Sequence, residues 1–364
     1  MESITLLHAA DLHLGTVFSD LPPAVGSQRR KDLMQSLGEI VELCARHQVN
    51  LLLFSGDLWQ QDYVTKPLVD FVADQFRRIP STQVVIAPGQ ADYYWDGSFY
   101  ADYPWPGNVH IFARPQLTNI WLPRLNTRVW GACWDGPQPP ALDWSLLEVA
   151  EKENTVVVCH GNPQQLGIPD DCLGGDNHVY FACGGGHKQH AYAANALAPG
   201  SPEPLGFDEP GQHGVMLGKA GFGAFQLEFV PVARRQYITL PFQVAPQETT
   251  EDQGKKIMEM LQSLNPDTNL FRLLLMGKHR PGLWDAAELQ DRLSSVFLCR
   301  LDDGTEPDFD FETLKAEHEK GVIGSFLEHM EQQLQECDEQ QRKKLLRARA
   351  YGLSALLSRE VSLW

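Results

Sequence analysis

Short apolar runs recur along the first half of the chain, each closed by glycine, proline, aspartate or asparagine. They are ITLLHAAD (4–11), VNLLLFSGD (49–57), TQVVIAPG (82–89), NVHIFA (108–113), RVWGACW (128–134), NTVVVCHG (154–161) and HVYFACGGG (178–186). Runs of this length that do not alternate with polar residues read as buried strands. Between the first two, Leu33, Leu37, Ile40, Val41 and Cys44 recur at helical spacing, and KPLVDFVADQFRRI repeats that pattern after the second. Strands alternating with helices predict an α/β layer structure, in which ligands bind where strands end.

From about residue 199 the chain turns Gly- and Pro-rich, and the alternating runs GVMLGKAG and GAFQLEFVPV then predict antiparallel strands that close a first domain over residues 1–240. PFQVAPQ (241–247) reads as a linker. A helix capped by Thr249 and Asp252, the strand NLFRLLLMG, the helix LWDAAELQDRL and the strand SVFLCRL predict a small α/β cap domain over 241–310. Residues 311–364 read as helical. Val322, Ile323, Phe326, Leu327, Met330 and Leu334 form one apolar stripe, with Leu353, Leu356, Leu357 and Trp364 beyond it and a basic cluster at Arg342, Lys343, Lys344, Arg347 and Arg349. Docking on a partner and packing back on the cap both account for the stripe.

Composition narrows the function classes. No apolar run is long enough to span a bilayer, and MESITLLHAADLHLG lacks the basic and apolar regions of a signal peptide, which points to a cytoplasmic location. The seven cysteines are scattered and never spaced C-x-x-C, which argues against a disulfide framework or a structural zinc site. The formal net charge is −17, divided between −10 over residues 1–240 and −7 over the remainder, so no broad basic footprint for nucleic acid exists. Contacts to DNA would rest on local patches or bound cations.

Chemistry gathers at the ends of the predicted strands. Asp11 and His13 stand two apart after the first run, where strand alternation would aim both the same way. Asp57 ends the second run, His160 the sixth, and His187 and His190 follow the three glycines of the seventh. Each residue alone has a plainer use, as a helix cap or a hydrogen-bonded histidine. Four strands in order, each ending in an acid or an imidazole, point instead to a metal site suited to Mn, Fe or Zn.

HAADLHLG, GDLW, PGQAD, CHG and GGGHKQ, in that order and at those separations, resemble the five motifs of calcineurin-like metallophosphoesterases. HAADLHLG and APGSPEPLGFDEPGQHGV further resemble the SbcD-type DNA repair exonucleases. The resemblance covers residues 4–240. It implies a four-layer sandwich of two mixed sheets flanked by helices, with a small α/β cap and a helical C-terminal tail. It also implies that Asp11, His13 and His187 bind one metal, that Asp57 bridges two, and that His160 binds the second. Gln90 falls where a second-metal asparagine belongs, Ala91 where a catalytic histidine belongs, and Gly185 where a second-metal histidine belongs. No catalytic histidine is therefore intact. One tightly bound Mn2+ is expected, with Fe or Zn as alternatives, a second site held weakly by His160 and Gln90, and His190 as a substitute ligand. The expected activity is impaired phosphodiester hydrolysis of DNA. The alternative is a non-catalytic scaffold subunit. Expected partners are DNA, bound weakly by the chain alone, an SMC-like coiled-coil ATPase of SbcC type, and a second copy of the chain in a homodimer, with no membrane.

Overall fold

The computed structural model describes residues 3–150, 152–174, 178–221 and 224–358. The chain divides into two compact units, residues 1–236 and 237–364. The first unit contains the strands β1 (Ile4–Ala9), β2 (Leu51–Phe54), β3 (Gln83–Ile86), β4 (Val109–Ile111), β5 (Thr118–Leu122) and β6 (Thr127–Gly131). It continues with β7 (Asn154–Cys159), β8 (Val179–Cys183), β9 (His190–Ala193), β10 (Ala196–Ala198), β11 (Gly214–Gly221) and β12 (Ala224–Pro231). Its helices are α1 (Pro23–Arg46), α2 (Lys66–Arg77), α3 (Phe99–Asp102) and α4 (Pro163–Leu166).

Among the described residues these strands form two six-stranded mixed sheets, in the orders β12, β11, β1, β2, β3, β4 and β5, β6, β7, β8, β10, β9. β1 to β4 are parallel, as are β6, β7 and β8. Their sequences run apolar without alternation because both faces of each sheet are covered. Leu6, Leu51, Leu53 and Val85 of the first sheet share one core with Val129, Val156, Val158 and Tyr180 of the second. On the opposite face of the first sheet Phe54 meets Phe76 of α2, ring centroids 5.7 Å apart. Trp130, Val157 and Phe181 carry the other face of the second sheet, against Leu166 of α4 and Trp144. Helices therefore flank two sheets that pack face to face, the architecture of a metallophosphoesterase sandwich.

The second unit contains β13 (Tyr237–Val244), β14 (Leu270–His279), β15 (Leu298–Asp303) and β16 (Glu306–Pro307), with α5 (Thr250–Gln262), α6 (Ala286–Arg292), α7 (Phe311–Glu317), α8 (Val322–Glu336) and α9 (Glu339–Ser358). β13, β14 and β15 are parallel, and Ile257, Leu261, Leu289 and Leu293 of α5 and α6 pack on Phe271, Leu273 and Leu275. Thr249 and Asp252 close a reciprocal capping box at the start of α5. The expected linker at 241–247 is corrected, because Pro241 to Val244 belong to β13. A proline that cannot donate to the ladder is tolerated there since β13 is an edge strand. The apolar stripe of α8 is largely turned inward. Leu327 is buried with Phe309 and Leu353, and Phe326 and Ile323 pack beside them, while Val322 remains 71% exposed. Trp364 lies outside the described residues.

Candidate metal centre

The four strand ends converge. Past the end of β1 and β2 the two loops continue side by side: Asp11 N–H donates to Gly56 O (3.1 Å), His13 N–H to Asp57 O (2.9 Å) and Leu14 N–H to Leu58 O (3.0 Å). Asp11 (φ 54°), His13 (46°), Asp57 (55°) and His187 (45°) all have left-handed backbones. Strand alternation therefore does not aim Asp11 and His13 as the sequence suggested. β1 stops at Ala9, and left-handed turns, costing roughly 1–2 kcal/mol per residue, turn the side chains inward. Strain of this kind, concentrated in four acids and imidazoles of one cluster, is the mark of a functional site.

Two overlapping donor groups result, Asp11 with His13 and His187, and Asp11 with Asp57 and His160, the ligand atoms of each lying within 4.8 Å of one another. Asp11 is common to both. The resemblance assigns the shared role to Asp57, whose Oδ2 also reaches across, 3.6 Å from His13 Nε2 and 3.4 Å from His160 Nε2. His13 Nε2 and His187 Nε2 face each other at 2.9 Å. Each ring is held from outside. His13 Nδ1 lies 2.9 Å from the Gln60 amide, His187 Nδ1 donates to Glu209 Oε1 at 2.6 Å, and His160 Nδ1 donates to Ser55 O at 3.0 Å. Imidazoles fixed at Nδ1 offer Nε2 to a metal. Glycine makes the close approach feasible: a Cβ on Gly56 would fall 2.4 Å from His160 Nδ1, and one on Gly89 2.4 Å from Asp57 Oδ1.

The electrostatics suit a cation. Burial raises the carboxyl of Asp11 above the usual range, opposed by His160 and reinforced by Asp57. Burial also raises Asp57, opposed by the backbone N–H groups of Ala91 and Gln90 and by His187. His13 is pushed down to about 3, by burial first and then by His187 and His160. His187 rises to about 9, chiefly through its hydrogen bond to Glu209, against burial, with help from Asp11 and Asp57. Buried carboxylates that resist ionising and imidazole nitrogens aimed at one spot form an oxygen and nitrogen donor set that fits a divalent ion once His187 gives up its proton.

The PGQAD loop keeps its backbone role without the expected side chains. Ala91 N–H donates to Asp57 Oδ1 at 2.7 Å. Asp92 is fully buried and accepts from the N–H groups of Asp57, Leu58 and Gly89 and from the Tyr100 hydroxyl, so it anchors the loop to the end of β2. Gln90 is exposed, and its amide donates to Pro137 O at 3.3 Å. His190 is exposed and its ring lies tilted against that of Tyr192, centroids 4.5 Å apart. His190 joins neither donor group among the described residues. Gly185 contributes its N–H, which meets both oxygens of Asp11 at 3.0 Å.

Sequence reasoning missed the outer supports. Glu209 lies in the Gly- and Pro-rich segment 22 residues after His187, and nothing local marks it as the partner of that ring. Buried His8, held by Tyr180 Oη and Ser55 Oγ, reads in the sequence as one more residue of a buried strand.

No family model matches the chain. The uncharacterized metallophosphoesterase YhaO of Bacillus subtilis (strain 168) is 29% identical over 118 residues. The match covers 31% of this chain and spans 28% of the length of that relative. With the paired mixed sheets and the donor groups at their strand ends, this likeness supports placing the chain in the metallophosphoesterase superfamily.

Proposed function

We propose that the chain is a metal-dependent phosphoesterase of the SbcD-type DNA repair exonuclease kind, whose hydrolysis of phosphodiesters is weakened by the residues at positions 90, 91 and 185. The observation that carries the reading is the pair of donor groups sharing Asp11 at the ends of β1, β2, β7 and β8. Asp11, His13, Asp57 and His187 would hold one divalent ion, Mn2+ in first place, with Fe and Zn compatible with the same donors. His160 and Asp57 are left to hold a second one weakly, since Gln90 turns to Pro137 and Gly185 has no side chain. Bound ions in such sites polarise a phosphoryl oxygen and generate hydroxide at neutral pH.

The protein's own contribution is positional. Glu209, Gln60 and Ser55 orient the three rings, and the backbone of residues 89–92 orients Asp57. With alanine at 91, no imidazole from the PGQAD loop stands ready to protonate a leaving oxygen, a contribution of typically 10²–10⁴-fold. DNA is the proposed substrate, with the helical region 311–364 joining an SMC-like coiled-coil ATPase. The second reading, a scaffold subunit without turnover, draws on the same absences at 91 and 185.

The test is metal content together with hydrolysis of bis-p-nitrophenyl phosphate and of Mn-supplemented DNA, by the unaltered protein and by Asp57→Asn. Tightly bound metal with slow turnover that Asp57→Asn abolishes supports the phosphoesterase. Full metal loading without any turnover leaves the scaffold.

A further inference from the structure

Beside the centre stands a phenol that none of the interactions above employs. Tyr192 lies on β9, the edge strand of the second sheet, half-buried against the cluster that contains Trp130, Cys183 and Phe181. Its ring is fixed by that packing and by His190, yet its hydroxyl takes part in no hydrogen bond among the described residues. A Cβ built on Gly186 would lie 3.6 Å from Tyr192 Oη. The preceding residue, Gly185, is the one whose N–H holds both oxygens of Asp11. The Gly185–Gly186 segment thus joins the surroundings of the hydroxyl to the Asp11 carboxylate.

The two glycines leave this side of the centre open. Gly185 has φ +79°, which disfavours any side chain, and a Cβ there would lie 3.1 Å from His160 Nε2. No side chain at position 185 covers that edge of His160, itself buried, where the resembled family has an imidazole. With no protein acceptor among the described residues, the hydroxyl is available to donate to an incoming one. Burial, Cys183 and Asp11 all raise its pKa, so it stays protonated and can only meet an incoming acceptor as a donor.

Resting on the phosphoesterase reading, we propose that Tyr192 donates a hydrogen bond to a non-bridging phosphoryl oxygen of the bound substrate, in the space that Gly185 and Gly186 leave open. The ligand class is a phosphate ester anion, and inorganic phosphate is its simplest form. The phenol acts by binding and orienting the phosphoryl group, and no bond to it forms or breaks.

The experiment compares the Mn-loaded unaltered protein with Tyr192→Phe, which keeps the ring and its packing. Inorganic phosphate affinity is measured by calorimetry, and kcat and KM with bis-p-nitrophenyl phosphate. Loss of one hydrogen bond to a charged group predicts phosphate binding weakened by roughly tenfold or more, a similar fall in kcat/KM, and unchanged Mn2+ affinity and melting temperature. Gly186→Ala, whose methyl would lie in van der Waals contact with the hydroxyl at 3.6 Å and take up part of the open space, should weaken phosphate binding in the same direction. Unchanged phosphate affinity in both variants, in a protein that does bind phosphate and turn over, overturns the role of Tyr192 alone. A Mn-loaded protein that neither binds phosphate nor hydrolyses the diester overturns the phosphoesterase reading and this inference with it.

Discussion

Replacing Glu209 by glutamine separates two opposing effects on metal binding, and pH decides which one is seen. Burial pushes the Glu209 carboxyl up, but the bonds from His187 and the Leu205 N–H, with the charge of His187, outweigh it and hold it below the usual range. It is in turn the main reason that the His187 imidazole sits at about 9. At pH 7 that ring is protonated about two units below its pKa, so a metal must displace a proton at a cost of about 2.7 kcal/mol, roughly a hundredfold in affinity. Asp11 and Asp57 have ionised by then, so between pH 7 and 9 His187 is the group that sets the slope. Mn2+ affinity of the unaltered protein should rise about tenfold per pH unit across that window and level off near 9. Glutamine keeps the shape and can still accept from Nδ1, but it removes the charge. The plateau should then begin at lower pH, while the plateau affinity itself falls by roughly 10- to 100-fold, the usual effect of losing an outer partner of a metal-bound histidine. The assay is calorimetric Mn2+ titration at half-unit steps from pH 6.5 to 9.5 under anaerobic conditions. Identical slopes for the two proteins, or a flat profile in the unaltered one, would refute the argument.

Further outcomes follow from the same structure. Because the folded-state pKa of His187 is raised above its unfolded value of 6.5, its contribution to stability is full below pH 6.5 and lost as pH rises towards 9, so the metal-free protein should melt at falling temperature across that range and Mn2+ should offset the loss. Arg29 is fully buried between Asp32 and Glu203 (2.8 and 3.0 Å), and Arg29→Met should destabilise by about 3–5 kcal/mol in urea unfolding because buried Glu203 loses its side-chain cation while Asp32 keeps Arg235. Ala91→His, at a position without a left-handed backbone, should raise diester turnover at least tenfold, whereas Gly185→His should lose stability because its φ of +79° excludes a side chain; rates and melting temperatures of both decide it. Lys343, Lys344 and Arg347 line a cavity of about 430 Å³ with Glu306, so if they are the DNA contact the logarithm of affinity should fall with the logarithm of salt at a slope of about −2.7, and reversing the three charges should abolish binding in a fluorescence titration.

The strand order and the donor cluster were legible because each has a one-dimensional signature. A run such as LLLF that is apolar on both faces has to be buried, and an acid or imidazole at its end has to sit at the sheet edge. What the sequence could not display was geometry that depends on partners far along the chain. HAADLHLG reads as a strand running to Asp11, but the strand stops at Ala9 and the next residues take left-handed conformations, held by the loop from Gly56 to Leu58. The proline pair around 241–246 looks like a linker because prolines usually mark one, and only the position of β13 at the edge of its sheet makes Pro241 acceptable inside a strand. The apolar stripe of α8 was ambiguous for the same reason. Its periodicity shows that one face must be covered, and the packing of Phe326 beside Leu327, with Gly352 so close that a Cβ would fall 2.4 Å from the Phe326 ring, shows that α9 does much of the covering.

The PGQAD loop explains how a site can change its chemistry without losing its frame. Its buried aspartate and its glycine belong to the fold. Asp92 receives three backbone N–H groups and a tyrosine hydroxyl, and a Cβ at Gly89 would collide with Asp57, so substitution at either would leave buried donors unpaired or displace a metal-centre carboxylate. Positions 90 and 91 meet the rest of the centre through their N–H groups, which any residue but proline supplies. Their side chains are therefore replaceable at little cost in stability, and only function distinguishes asparagine and histidine there from Gln90 and Ala91. Gly185 is the same case carried further: its N–H holds Asp11 at 3.0 Å whatever the side chain, and with φ +79° the glycine relaxes the backbone that an imidazole would strain. The carboxylates and rings of the two donor groups have no such freedom, since Asp11, Asp57 and His187 would act through the very atoms that the fold has turned inward. On the reading proposed above, in which one ion is held firmly and the loop imidazole is absent, this hydrogen bonding is what lets positions 90, 91 and 185 differ while the frame stays intact.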